Sequence, residues 1–123
     1  MFDHIGLRVK NLSASVAFYR SALEPLGHEV TSQSDGMAGF GSGGATGLWL
    51  SHAPDAGKRG AHLAFVATDR AAVEHFYKNG IAAGGRDNGA PGLRADYGPS
   101  YFAAFLVDPD GNNVEAVCLA QES

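Results

Sequence analysis

A single cysteine and a single tryptophan occur in 123 residues. One cysteine excludes an internal disulfide framework and fits a reducing compartment. Cys118 sits in the apolar run 114–119 and reads as a core thiol. Basic residues are scarce: 9 Lys and Arg against 13 Asp and Glu give a net charge of −4, and Lys58-Arg59 is the one basic pair. Lacking a basic face, the chain is expected to bind neither nucleic acid nor an anionic membrane. No apolar run approaches the ~20 residues of a membrane span, and Asp3 and His4 stand where a leader would be basic and then apolar. A cytoplasmic protein is expected. No short-range metal motif of the HExxH kind is present either.

What the chain does have is a likeness to itself. Asp3-His4-Ile5-Gly6-Leu7-Arg8-Val9 reads like Ala61-His62-Leu63-Ala64-Phe65-Val66-Ala67. An offset of 58 residues lays His4 on His62, Phe18-Tyr19 on Phe76-Tyr77 and Gly27 on Gly85. Half a chain of this length buries little apolar surface alone. The halves are therefore expected to share one domain: module one over 1–53, a linker over 54–60 and module two over 61–120.

Periodicity fills in the modules. Ile5, Leu7 and Val9 alternate with His4, Gly6 and Arg8, a strand pattern that puts His4 on the face opposite Ile5. Asn11 or Ser13 can cap a helix whose stripe is Leu12, Val16, Tyr19, Leu23 and Leu26. Pro25 and Gly27 stop it. Short strands follow at 28–33, 37–41 and 46–52, with turns at Ser34-Asp35-Gly36 and Gly43-Gly44. The pattern restarts with a strand at 61–67 and a helix capped by Thr68 or Asp69 that runs to Asn79-Gly80. A strand at 81–86, a Gly/Pro-rich loop at 87–99 and a strand at 101–107 come next. The tight turn Asp108-Pro109-Asp110-Gly111 precedes a last strand at 113–119. Each half is strand–helix–strand–strand–strand, an α+β arrangement with a groove shared by two sheets.

Three residues could carry chemistry. His4 and His62 are equivalent in the repeat, and Glu115 lies between Val114 and Ala116 in the last strand. A carboxylate among apolar neighbours is costly to bury unless it is paired, hydrogen-bonded or metal-bound. Two imidazoles and a carboxylate leave coordination positions open, and Zn, Ni, Mn or Fe all suit such a set. Taken singly, each of these residues can equally be an ordinary strand residue; only the fold can bring them together. Arg94, in the Gly/Pro-rich loop, is a candidate contact for an anionic substrate group. Tyr97 and Tyr101 are candidate donors to a bound oxygen. His28 and His75 read as solvent-facing, and His52, sharing parity with Leu48 and Leu50, can point toward the groove.

With those residues in view, the chain resembles the vicinal oxygen chelate superfamily, which includes glyoxalase I, extradiol dioxygenases, fosfomycin-resistance thiol transferases and bleomycin-resistance proteins. The front segment DHIGLRVKNLSASVAFYRSAL and the back segment YFAAFLVDPDGNNVEAV carry the resemblance. It implies a glyoxalase-like fold of two βαβββ modules, curled mixed sheets around a groove. It further implies one divalent metal on His4, His62 and Glu115, with Glu115 also a candidate general base. Aligning Gly44 with Gly111 sets Leu48 against Glu115, and no Glu or Gln occurs at 48–50, where glyoxalase I carries a fourth ligand. The expected activity is that of a lyase, isomerase or transferase on a small molecule chelating the metal through neighbouring oxygens. The alternatives are a metal-free drug-binding protein of the bleomycin-resistance kind and a fosfomycin-type thiol transferase. A homodimer is expected, since the open side of two curled sheets needs covering.

Overall fold

The computed structural model describes residues 2–55 and 60–121. Residues 56–59 of the expected linker lie outside the described residues. Two four-stranded mixed sheets follow one another, each built from one module. The first holds β1 (Ile5–Val9), α1 (Leu12–Leu23), β2 (Glu29–Gln33), β3 (Met37–Ser42) and β4 (Ala45–His52). The second repeats the order with β5 (His62–Val66), α2 (Arg70–Ala82), β6 (Arg86–Leu93), β7 (Phe102–Val107) and β8 (Asn113–Cys118). In each sheet the first strand pairs in parallel with the last, and the other neighbours are antiparallel. The outer edges of β1 and β5 therefore lie at the ends of their sheets.

Both helices start on capped donors. The Asn11 side chain accepts from the Ala14 N–H at 3.0 Å, and Asp69 accepts from the Ala72 N–H at 2.8 Å. These bonds satisfy amides that the helix itself cannot pair. α1 stops at Leu23, three residues before its apolar stripe ends, because Pro25 shapes a 3₁₀ turn over Glu24–Leu26. The helices pack on each other through Phe18, which is fully buried. A Cβ on Gly85 would come within 2.4 Å of its ring, and one on Gly80 within 2.2 Å of Leu106. Those two glycines make room for the contact between the modules.

A buried polar knot ties the modules as well. Tyr19 on α1 donates to Asp108 Oδ2 at 2.6 Å. The same carboxylate accepts from the backbone N–H of Asp110 and Asn112 and from the Asn112 side chain. Asp108 thus organises the turn read from its Asp-Pro-Asp-Gly sequence and anchors α1 to it. Burial, with the Asp108 charge second, pushes the Tyr19 hydroxyl far above its ordinary range.

Two expectations need correction. The segment 81–86 is not a strand: α2 continues to Ala82, and Gly84, at φ +101°, reverses the chain. The strand lies later, inside the segment expected to be loop, as β6 over Arg86–Leu93. Gly89 and Gly92 sit at register shifts against β7, and β6 is the edge strand, where Pro91 costs no ladder bond. The second correction concerns the repeat. Gly6 pairs with Trp49, while its equivalent Ala64 pairs with Glu115. The first-module counterpart of Glu115 is therefore Trp49, not Leu48.

Candidate functional site

The second sheet assembles a buried acid. Ala64 and Glu115 are register partners on β5 and β8, and His62 lies two residues before Ala64 on the same face. His62 Nε2 stands 3.1 Å from Glu115 Oε1, and Tyr101 donates its hydroxyl to Glu115 Oε2. Glu115 is only 2% exposed, so both of its oxygens are met by polar partners where water scarcely reaches. The hydrogen bond to Glu115 is the first cause that pushes the Tyr101 hydroxyl up to about 12; burial and the carboxylate charge add to it. Tyr101 is therefore a protonated donor at neutral pH. Phe105 stacks on the His62 ring at 6.5 Å between centroids and 22° between planes.

Two cavities meet at His62. One, of about 670 Å³, is polar and is lined by Glu115, Tyr101, Tyr97 and Asp96 among others. The other, of about 510 Å³, runs between β1 and β5 and carries His4 and His62 on its wall. His4 takes part in a different contact: its Nδ1 lies 2.7 Å from Asp3 Oδ2. Among the described residues, no three His, Cys, Asp or Glu side chains converge closely enough to hold a metal ion. His62 thus meets Glu115 directly, while His4 shares only the cavity wall with His62. The chemistry of the joined pair, an imidazole beside a desolvated carboxylate, suits a divalent cation as far as it goes.

The remaining candidates have definite places. Arg94 donates to the Ala90 carbonyl at 2.7 Å, and its guanidinium lies 5.4 Å from the Phe105 ring centroid. It lines neither of the two cavities. Tyr97 is exposed and meets Tyr101 edge-on at 5.2 Å. His52 is exposed at the end of β4 and lines neither cavity, although Leu48 and Leu50 of the same parity are buried. His75 is exposed, as expected. His28, expected in solvent, is instead half-buried on the wall of the smaller cavity. Its place just after a helix stop gave no signal of this, because the cavity wall is built from residues far apart in the chain.

Comparisons with known proteins agree with this architecture. The family model described as Glyoxalase/Bleomycin resistance protein/Dioxygenase superfamily matches residues 1–116. A glyoxalase/bleomycin resistance protein from Albidiferax ferrireducens T118 is 27% identical, with a TM-score of 0.80 over 96% of this chain and 98% of that one. A glyoxalase-related enzyme from Fulvimarina pelagi shares the fold at 18% identity, with a TM-score of 0.75 over 96% and 87% of the two chains. An E144Q mutant of glyoxalase I from Zea mays is 24% identical and has a TM-score of 0.71; the match covers 94% of this chain and 46% of that one. No curated protein matches the sequence.

Proposed function

Because the chain belongs to the Glyoxalase/Bleomycin resistance protein/Dioxygenase superfamily, we propose that it is a glyoxalase-like, divalent-metal-dependent enzyme. Its substrate in this reading is a small molecule with neighbouring oxygens, and its reaction that of a lyase, isomerase or transferase. The buried Glu115 carboxylate beside His62 carries the proposal. A carboxylate buried among apolar neighbours needs partners, and a divalent cation is a strong one.

His62 and Glu115 would hold the metal, with His4 as third ligand. His4 shares a cavity wall with His62, and in this reading the His4 that completes the set comes from a second copy. The exposed apolar side chains Val66, Leu93 and Leu119 of module two offer surface for such a homodimer to cover. When bound, the metal (Zn, Ni, Mn or Fe) supplies Lewis acidity toward substrate oxygens. The protein's own groups do the rest. In this reading Glu115 also serves as general base, detaching to take a proton from the substrate. Tyr101 steadies the carboxylate and keeps its own proton at neutral pH. Phe105 fixes the His62 ring plane. Tyr97 is a substrate contact at the rim, and Arg94 becomes one on releasing the Ala90 carbonyl. No helix among the described residues is long and apolar enough to cross a membrane, and the lone buried Cys118 supports a cytoplasmic location.

The deciding experiment is metal analysis of the purified protein and of His62→Ala. The proposal expects one divalent ion per chain, lost in the variant. Absence of metal from both would favour the second reading, a metal-free small-molecule binding protein. The largely apolar cavity that adjoins His62 supports that reading.

A further inference from the structure

The cavity between β1 and β5 differs in character from the polar one it adjoins. Its walls are apolar, made by Ile5, Leu23, Phe40, Leu48, Leu63 and Phe65, and no Lys or Arg lines it. Asp3, at the mouth, is the one carboxylate among its lining residues. His4, His28 and His62 interrupt this apolar wall, and of the three His28 is the one set deep beside Leu23 and Phe40. The backbone holds it in place, since its N–H donates to the Leu23 carbonyl at 3.1 Å beyond Gly27, which turns at φ +90°. Its Nδ1 is shielded from solvent without a hydrogen-bond partner, and no partner is found for its other ring nitrogen among the described residues. An imidazole always carries at least one N–H or one lone pair on each nitrogen, so a buried unpaired ring nitrogen is costly. The Nε2 atom, which is not shielded in this way, is the one open to a ligand.

We propose that this cleft is a subsite for an uncharged aryl or branched-alkyl group bearing a single hydrogen-bonding atom, and that His28 recognises that atom. The apolar walls supply the affinity, and the volume of about 510 Å³ is ample for a bicyclic ring. Asp3 and the missing Lys and Arg reject an anionic group at this end of the ligand. His62 lies on both cavities, so a group seated here extends from the Glu115 centre. Only the identification of that group as part of the substrate rests on the function proposed above; its binding requires no metal.

The test uses the full chain, as purified and with chelator, titrated with 2-naphthol, naphthalene and 2-naphthoate and followed by protein NMR. The proposal expects 2-naphthol to bind about tenfold tighter than naphthalene, the effect of one satisfied hydrogen bond, and 2-naphthoate to bind weakest. His28→Leu should abolish the preference for the hydroxyl while still binding naphthalene. Gly47→Phe should exclude all three ligands, because a side chain at 47 enters open space on the cavity wall and Phe suits a strand. Circular dichroism confirms that each variant folds. Equal binding of naphthol and naphthalene, a preference retained in His28→Leu, unchanged binding in Gly47→Phe or no binding at all would each overturn the proposal. A chain that binds 2-naphthol but never a metal would overturn the enzymatic reading alone and leave this subsite standing.

Discussion

Trp49 stands in the first sheet where Glu115 stands in the second: Gly6 pairs with the one, and its repeat equivalent Ala64 with the other. The indole lies over Gly39, where a Cβ would come within 3.0 Å of its ring. One face of the duplicated scaffold thus carries a large apolar ring and the other a buried acid. Replacing the ring by a carboxylate restores the symmetry. Trp49→Glu is expected to tighten divalent-metal binding relative to the unmodified chain, read by competition with a metal-sensitive dye. Unchanged affinity would show that the two positions do not face the same centre.

The reading that His4 reaches the pair from a second copy makes a sharper demand. His4→Ala and Glu115→Gln should each lose the metal when purified alone. Mixed and refolded together, they should recover binding, because hybrid dimers contain one intact set of ligands. Failure of the mixture, with both variants folded and dimeric, would place all ligands in one chain.

The phenol of Tyr101 reports on Glu115. Its pKa is raised from 10.0 to about 12, chiefly by the hydrogen bond to that carboxylate. A raised value means that the folded chain holds the proton more tightly than the unfolded one. The stability this adds is full below pH 10 and is lost as pH rises through about 12. Glu115→Gln keeps an acceptor but removes the charge, so the Tyr101 titration, followed by tyrosinate absorbance, should move down toward its ordinary value.

Asp108 fills its four acceptor positions with Tyr19, Asp110 and Asn112 while 1% exposed. Asp108→Ala strands those donors and should cost about 3–5 kcal/mol in chemical denaturation. Tyr19→Phe removes one donor and leaves the carboxylate otherwise paired, so about 1–3 kcal/mol is expected.

Contact between the modules depends on missing side chains. Gly85→Ala would drive a methyl into Phe18, itself fully buried and unable to yield, at an expected cost of about 1–3 kcal/mol. The double variant Gly85→Ala/Phe18→Leu should regain part of the loss, which a purely local backbone effect at residue 85 would not allow.

Local chemistry made much of this protein legible in its sequence. Alternation marked β1 and β5, side-chain acceptors at Asn11 and Asp69 marked the helix starts, and Asp108-Pro109-Asp110-Gly111 marked a turn, since each acts over a few residues. The offset between His4 and His62 made their equivalence a matter of counting. Register was different. Ser42 pairs with Ala45 across Gly43-Gly44, both at positive φ, whereas Val107 pairs with Asn113 across a longer loop. Counting from the glycines therefore slips by one residue, and one residue exchanges the faces of a strand. Composition likewise hid β6, because its glycines are accommodated by bulges against Phe105 that only the neighbouring strand explains. The closeness of Tyr101, His62 and Glu115 and the half-burial of His28 depend on residues far away in the chain. Short-range patterns determine the pieces of this protein; only the packing of one module against the other decides which side chains share a cavity.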